Sequence, residues 1–230
     1  MIIKLNKKSL LIVCLSFAIA TAIMISVRTV PTISLSKPYT VVVDAGHGEP
    51  DGGAVGVNGT IEKDINLQNS LKLQEILESR GVRVIMTRED DNSICDKSAK
   101  TLHEKKVSDM HNRLEIINTS GADLFVSIHM NSFSDPSSGG LHVFYSRNHP
   151  EAEETASLIQ DAMSELTGAK THAVKVASDT LYLMKNTVPP AILIECGFIS
   201  NPEEERLLND EKYQSKIAFS IANAMIKAKK

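Results

Sequence analysis

The 230-residue sequence contains no tryptophan, and only 4% of its residues are aromatic. That weakens any carbohydrate-binding reading built on stacking platforms. Cysteine is scarce too: three residues, with no C-x-x-C and no Cys/His finger spacing, which excludes a dithiol redox pair and a structural zinc finger. Cys14 lies in an apolar leader and Cys95 in a polar stretch. In an exported chain Cys95 and Cys196 are the pair available for a disulfide, but Cys196 reads instead as a small core residue. The net charge of −3 gives no reason to expect nucleic acid or an anionic membrane surface as a partner. A phosphate-cradling loop is also missing. Gly46-x-Gly48-x-x-Asp51 fails G-x-G-x-x-G at its last position, no helix opens directly behind it, and no G-x-x-x-x-G-K-[ST] occurs.

What is present begins with a leader. Lys4, Lys7 and Lys8 precede an apolar run from Leu10 to Val27, and Arg28 follows. A basic start and an apolar stretch of this length mark residues 1–28 as a signal peptide or membrane anchor, hence an exported protein. Ala18-Ile19-Ala20 and Ala20-Thr21-Ala22 resemble cleavage sites, while the continuation through Ile23, Met24, Ile25 and Val27 favours an anchor. Residues 29–38, with Pro31, Pro38 and several Ser/Thr, read as a linker. Residues 39–230 are long enough for one domain with its own core.

Three apolar runs in that domain each end on a side chain capable of chemistry. Val41-Val42-Val43 leads to Asp44-Ala45-Gly46-His47-Gly48, Leu124 to Ile128 leads to His129-Met130-Asn131, and Ala191 to Ile194 leads to Glu195-Cys196-Gly197. β-branched runs of this length are buried strands, and in open α/β sheets ligands bind beyond the strands' carboxyl ends. The periodicity predicts further strands over Val82–Thr87, Gly140–Ser146 and Leu181–Lys185. It predicts helices over Asp64–Arg80, Leu102–Thr119, Ala152 to Gly168, and Tyr213 through Met225. In the second helix the expected core stripe is Val107, Met110, Leu114 and Ile117. The alternation gives a single α/β domain with a mixed, mostly parallel sheet flanked by helices, and a metal site at the carboxyl ends of the strands.

Catalytic zinc commonly takes three ligands from His and Asp/Glu plus a water. His47 and His129 occupy strand ends. His103, His111, His142, His149 and His172 fall on helices, within a strand or in loops, where an imidazole is more often merely solvated or hydrogen-bonded. The third ligand has five candidates: Asp44, Glu49, Asp51, Glu62 and Asp64. Asp44 also suits a place behind the ligands, orienting an imidazole. Spacing does not decide between Glu49 and Glu62.

Asp44-Ala45-Gly46-His47-Gly48, Asp51-Gly52-Gly53-Ala54 with Glu62-Lys63-Asp64, Ser127-Ile128-His129-Met130-Asn131, and Leu193 to Asn201 together resemble the zinc-dependent N-acetylmuramoyl-L-alanine amidases, the amidase_3 family. Met86-Thr87-Arg88-Glu89 and the membrane leader look most like the spore-cortex, germination-specific (CwlD-type) branch. The resemblance implies that 39–230 is the catalytic domain, that His47, Glu62 and His129 hold one Zn²⁺, and that Glu195 is the catalytic carboxylate. It implies hydrolysis of the amide joining N-acetylmuramic acid to L-alanine in peptidoglycan, outside the cytoplasm, in wall or spore cortex. It leaves room for an accessory protein in activation or localisation. Two positions depart from the pattern: Ala45 replaces a frequent proline, and Glu49 replaces a glycine, adding a carboxylate expected close to the metal. Arg113 matches an arginine frequent in the family and reads as half of a structural ion pair. The competing readings are a zinc peptidase acting on the peptide stem and a non-catalytic wall-binding protein.

Overall fold

Thr40-Val41-Val42-Val43 is a run of β-branched side chains, which crowd a helix and pack well on a pleated sheet. In the computed structural model, which describes residue 8 and residues 37–229, it opens β1 (Thr40–Ala45), and every residue of that strand is buried. The leader and linker expected over residues 1–38 lie almost wholly outside the described residues. Among the described residues no helix is long and apolar enough to cross a membrane.

The other strands are β2 (Arg83–Met86), β3 (Leu124–Asn131), β4 (His142–Tyr145), β5 (Lys175–Val176) and β6 (Ala191–Phe198). They form one sheet in the order β2-β1-β3-β6-β4-β5. β1, β2, β3 and β6 run parallel, β4 pairs antiparallel with β6, and β5 runs parallel to β4. The sheet is therefore mixed and mostly parallel, as expected from sequence. The helices are α1 (Glu62–Ser79), α2 (Leu102–Thr119), α3 (Ala152–Thr167), α4 (Tyr182–Asn186), α5 (Pro202–Leu208) and α6 (Glu211–Ala228).

Strands buried on both faces are apolar throughout, and their alternate residues feed two cores. Val41, Val43, Val126, Ile128, Ile192 and Ile194 pack with Leu73 and Leu77 of α1, Ile159 and Met163 of α3, and Ile217 and Ile221 of α6. Val42, Phe125, Ala191 and Leu193 pack with Ile117 of α2 and Met184 of α4. The sheet is thus sandwiched, and the second, smaller core lies beneath the metal-capable strand ends.

Two expectations need correction, and one helix lies outside them. Leu181–Lys185 is not a strand: α4 covers Tyr182–Asn186. The run holds Leu, Tyr, Met and Lys and no β-branched residue, so nothing in it resists a helical turn. Of the expected stripe on α2 only Ile117 is buried; Asp109 and Arg113 take the other buried positions, and Val107 is exposed. Two charged residues take the inward positions because they answer one another and Asp44 of β1. Finally, α5 was not anticipated, although Asn201-Pro202-Glu203-Glu204 carries its start signal. Asn201 caps the amides of Glu203 and Glu204, and Pro202 occupies the first turn.

Candidate active site

On the face shared by Val42, Phe125 and Ala191, the parallel strands stack their side chains in rows. Above the apolar row comes Asp44, Ser127 and Leu193, and above that His129, Glu195 and, across the antiparallel pair, His142. The period of two along each strand thus turns an apolar floor into a polar layer and then into a layer of titratable groups. Beyond His129 the β3–β6 register shifts, with Asn131 opposite Phe198. Such a bulge at a strand end re-aims the side chains beside it.

β1 stops at Ala45, and the turn after it makes room for groups able to ligate a metal. His47 sits in the left-handed region at φ 62, a conformation that costs a β-carbon-bearing residue on the order of 1–3 kcal/mol. Gly46 is glycine because a Cβ there would lie 2.2 Å from Cε1 of His129. Gly53, at φ +71, is doubly constrained: a Cβ would meet Glu62 Oε2 at 2.6 Å and the His47 ring at 2.7 Å.

These turns bring His47, Glu62 and His129 together. Glu62 Oε1 lies 3.2 Å from His47 Nε2 and 3.0 Å from His129 Nδ1, and the three potential ligand atoms fall within 4.8 Å of one another. The imidazole centroids are 5.0 Å apart. Ligands at about 2.0–2.1 Å around a tetrahedral cation stand ~3.3 Å from each other, so the spacing fits a metal ion. The charge fits as well. Burial works against an imidazolium at His47, yet the Asp51 and Glu62 carboxylates raise its pKa to about 9. Burial likewise works against the Glu62 carboxylate, but His129 and His47 hold its pKa well below the usual range. The cluster thus demands positive charge, and two imidazoles with one carboxylate are donors suited to a divalent cation of borderline softness.

Glu62 opens α1, so its place is fixed by the helix start. Its Oε2 accepts from the Ala54 amide at 2.8 Å, and its Oε1 accepts from Asn66 Nδ2 and the Met130 amide, both at 3.2 Å. Asp51 Oδ2 stands 3.1 Å from His47 Nδ1, which leaves Nε2 facing Glu62. A carboxylate behind an imidazole fixes its tautomer and ring orientation.

Glu195 is half-buried beside this triad and has a different environment. Its Oε2 is enclosed and has no hydrogen-bond partner among the described residues. Burial raises its pKa, the nearby Glu62 charge adds to the effect, and His129 and His47 oppose it. His47, His129 and Glu195 line one cavity of about 300 Å³, whose far wall is Leu181 to Met184 of the α4 region. An unpaired carboxyl whose proton is held more tightly than usual, facing a cavity beside a cation-demanding triad, is placed to accept and return a proton.

Beneath the triad lies a buried salt-bridge network. Arg113 donates to Asp44 Oδ1, to Asp109 Oδ2 at 2.8 Å, and to the backbone carbonyls of Ala45 and His47. Thr87 and Ser127 hydroxyls donate to the two Asp44 oxygens at 2.7 and 2.6 Å. Arg88 adds bonds to the Ala45 and Gly46 carbonyls at 2.9 and 3.0 Å. The network clamps the backbone that carries His47.

Of the five candidates for the third metal ligand, only Glu62 joins the histidines. Asp44 faces Arg113 and two hydroxyls and touches neither imidazole, so the orienting role expected of it falls to Asp51. Asp64 pairs with Lys63 at 2.7 Å. Glu49 is exposed and turns to Lys63 at 3.7 Å, so its carboxylate does not join the cluster as anticipated. Cys95 and Cys196 are free thiols, and burial pushes that of Cys196 up. Arg113 forms the expected ion pair, with two carboxylates rather than one. Asn66 and Asp51 went unrecognised as supports of the triad, although Asn66 lies one helical turn after Glu62 and Asp51 four residues after His47.

Residues 41–227 match the Amidase_3 family, described as N-acetylmuramoyl-L-alanine amidase. The germination-specific N-acetylmuramoyl-L-alanine amidase of Bacillus subtilis (strain 168) is 38% identical over 187 residues, covering 81% of this chain and 78% of the relative. Among solved structures, the CwlD amidase from Clostridioides difficile in complex with the GerS lipoprotein is 42% identical, with a TM-score of 0.79. That match covers 83% of this chain and 98% of that one. An N-acetylmuramoyl-L-alanine amidase from Clostridium difficile 630 is 29% identical with a TM-score of 0.74, covering 84% and 97%.

Proposed function

The chain belongs to the Amidase_3 family of N-acetylmuramoyl-L-alanine amidases, and from that premise we propose how its residues divide the work. The reaction is hydrolysis of the amide between the lactyl carbonyl of N-acetylmuramic acid and the amino group of L-alanine in peptidoglycan. His47, Glu62 and His129 hold one Zn²⁺. When bound, zinc supplies Lewis acidity toward the scissile carbonyl and lowers the pKa of a water toward about 7.

Glu195 takes the proton of the attacking water and passes it to the leaving amine. Its enclosed, unpartnered Oε2 and raised pKa suit both halves of that transfer. Asp51 keeps Nε2 of His47 turned inward, and the Arg113 network holds the His47 backbone in place. The α4 wall, Leu181 to Met184, shields the reacting groups from bulk water on one side of the cavity.

The observation that carries this reading is the triad's spacing, with Glu195 outside the cluster yet lining the same cavity. The germination-specific relative and the CwlD structure support a role in spore cortex, outside the cytoplasm, and the basic start and apolar run of residues 1–28 support an export signal or anchor. The pairing of CwlD with the GerS lipoprotein in that structure also supports an accessory protein as a partner of this chain. The test is mass spectrometry of muropeptides after incubation with zinc-loaded protein. Freed muramic lactyl groups and intact stem peptides are expected. Shortened peptides would instead identify a peptidase, and unchanged muropeptides a binding protein.

A further inference from the structure

The cavity at the triad has one cationic side chain with an exposed head. Of the described residues lining it, Arg113 is fully buried and its donors are taken up by Asp44, Asp109 and two carbonyls. Lys106 of α2 is the exception. It is 61% exposed, and its Nζ lies 3.0 Å from Asp51 Oδ2. Because that same oxygen stands 3.1 Å from His47 Nδ1, the ammonium sits two hydrogen-bond lengths from a triad imidazole. Lys106 also borders two neighbouring depressions, one running past Pro50 and Ser93, the other past Val107, Met110 and Tyr182. It therefore stands where the reaction cavity opens into the surface grooves.

An exposed lysine paired with a half-exposed aspartate contributes little to stability, on the order of 0–1 kcal/mol, so folding does not require the pairing. Its ammonium carries three donors, and Asp51 engages one of them. Resting on the amidase reading above, we propose that Lys106 determines specificity by binding a free carboxylate of the stem peptide on the leaving-amine side of the scissile bond. In peptidoglycan the residue after L-alanine is an acidic residue linked through its γ-carboxyl, which leaves the α-carboxylate free, or blocked where it is amidated. An amino acid's length from the cut bond, that carboxylate is the first charge the leaving peptide presents. Facing it, the cavity wall formed by Met110, Leu181 and Met184 offers only apolar contact, so the charge falls to Lys106.

The experiment compares two muramoyl-peptide substrates that differ only in a carboxylate or a carboxamide at that position, with wild type and Lys106→Met. Zinc content is measured on both proteins, and calorimetry follows binding of the released acidic peptide. Wild type is expected to prefer the carboxylate substrate in kcat/KM by about tenfold, expressed mainly in KM, as suits a charge-assisted hydrogen bond. The variant's ratio falls to about one, its affinity for the acidic peptide falls in parallel, and its zinc content is unchanged. A wild type that turns over both substrates equally, or a variant that keeps the preference, overturns the assignment and leaves the amidase reading standing. Loss of zinc from the variant overturns it in favour of a supporting role through Asp51. A wild type that releases no lactyl group from either substrate overturns the amidase reading and this inference with it.

Discussion

Asp51 Oδ2 lies 3.1 Å from Nδ1 of His47, four residues earlier in the chain, and this contact decides which nitrogen of the ring faces Glu62. Replacing Asp51 with Asn keeps the shape but offers Nδ1 a neutral partner. Zinc affinity is expected to fall about 10- to 100-fold, the usual effect of altering such a support. Chelator competition measures it, and an unchanged dissociation constant would show that the turn alone orients the ring.

Gly46→Ala puts a methyl 2.2 Å from His129 Cε1, inside van der Waals contact. The backbone at Gly46 is held by Arg88 and Asn66 through its carbonyl, so the imidazole has to move. Native far-UV circular dichroism is expected with a loss of metal affinity of at least about tenfold. Wild-type zinc binding in this variant would mean that His129 is not a ligand.

Glu195→Gln retains size and removes the base. Zinc stoichiometry of one is expected to persist while turnover falls ~10²–10⁴-fold, the range spanned by general acid–base catalysis. If zinc is lost instead, Glu195 belongs to the metal and the proposed division of labour is wrong.

The buried Asp44–Arg113 pair makes a claim about pH. Burial opposes the Asp44 charge, but Arg113 and the Ser127 and Thr87 hydroxyls outweigh it and hold its pKa at about 2. An unfolded chain titrates this group near 3.9. A native pKa below the unfolded one means that the stabilisation is present above ~pH 4 and is lost as pH falls through about 2. Urea unfolding of the wild type between pH 2 and pH 5 is expected to show a rise of about 2 kcal/mol from this carboxyl. Asp44→Asn should lack that part of the slope and, with Asp109 left as the one carboxylate on Arg113, lose about 1–3 kcal/mol at neutral pH.

The strands were legible because Val41–Val43, Leu124–Ile128 and Ala191–Ile194 are apolar but for Ser127, and each leads to a chemical group at its end. The histidines were legible for the same reason. Glu62 was not separable from Glu49 by spacing, because what separates them is the direction each side chain leaves the glycine-rich turn. Glu49 turns to Lys63, while Glu62 is drawn inward by the amides of Ala54 and Met130. The inward face of α2 was illegible as well. Hydrophobic spacing points to Val107 and Met110, whereas Asp109 and Arg113 are buried because Asp44, on a strand 69 positions away from Arg113, completes their pairing. Long-range charge pairing leaves no periodic trace, and the same holds for Lys106 and Asp51.

Glu205 of α5 is 1% exposed and accepts from the amides of Asn58 and Thr60 and from the Asn58 side chain, across about 147 positions of sequence. Those two residues sit in the stretch that joins Gly53 to Glu62, so a late helix moors the loop that leads into Glu62. Replacing Glu205 with Ala would spare His47, Glu62, His129 and Glu195, and leave α6 in its core, yet slip that mooring. One substitution far along the chain should therefore loosen the approach to Glu62 while every group lining the cavity keeps its identity.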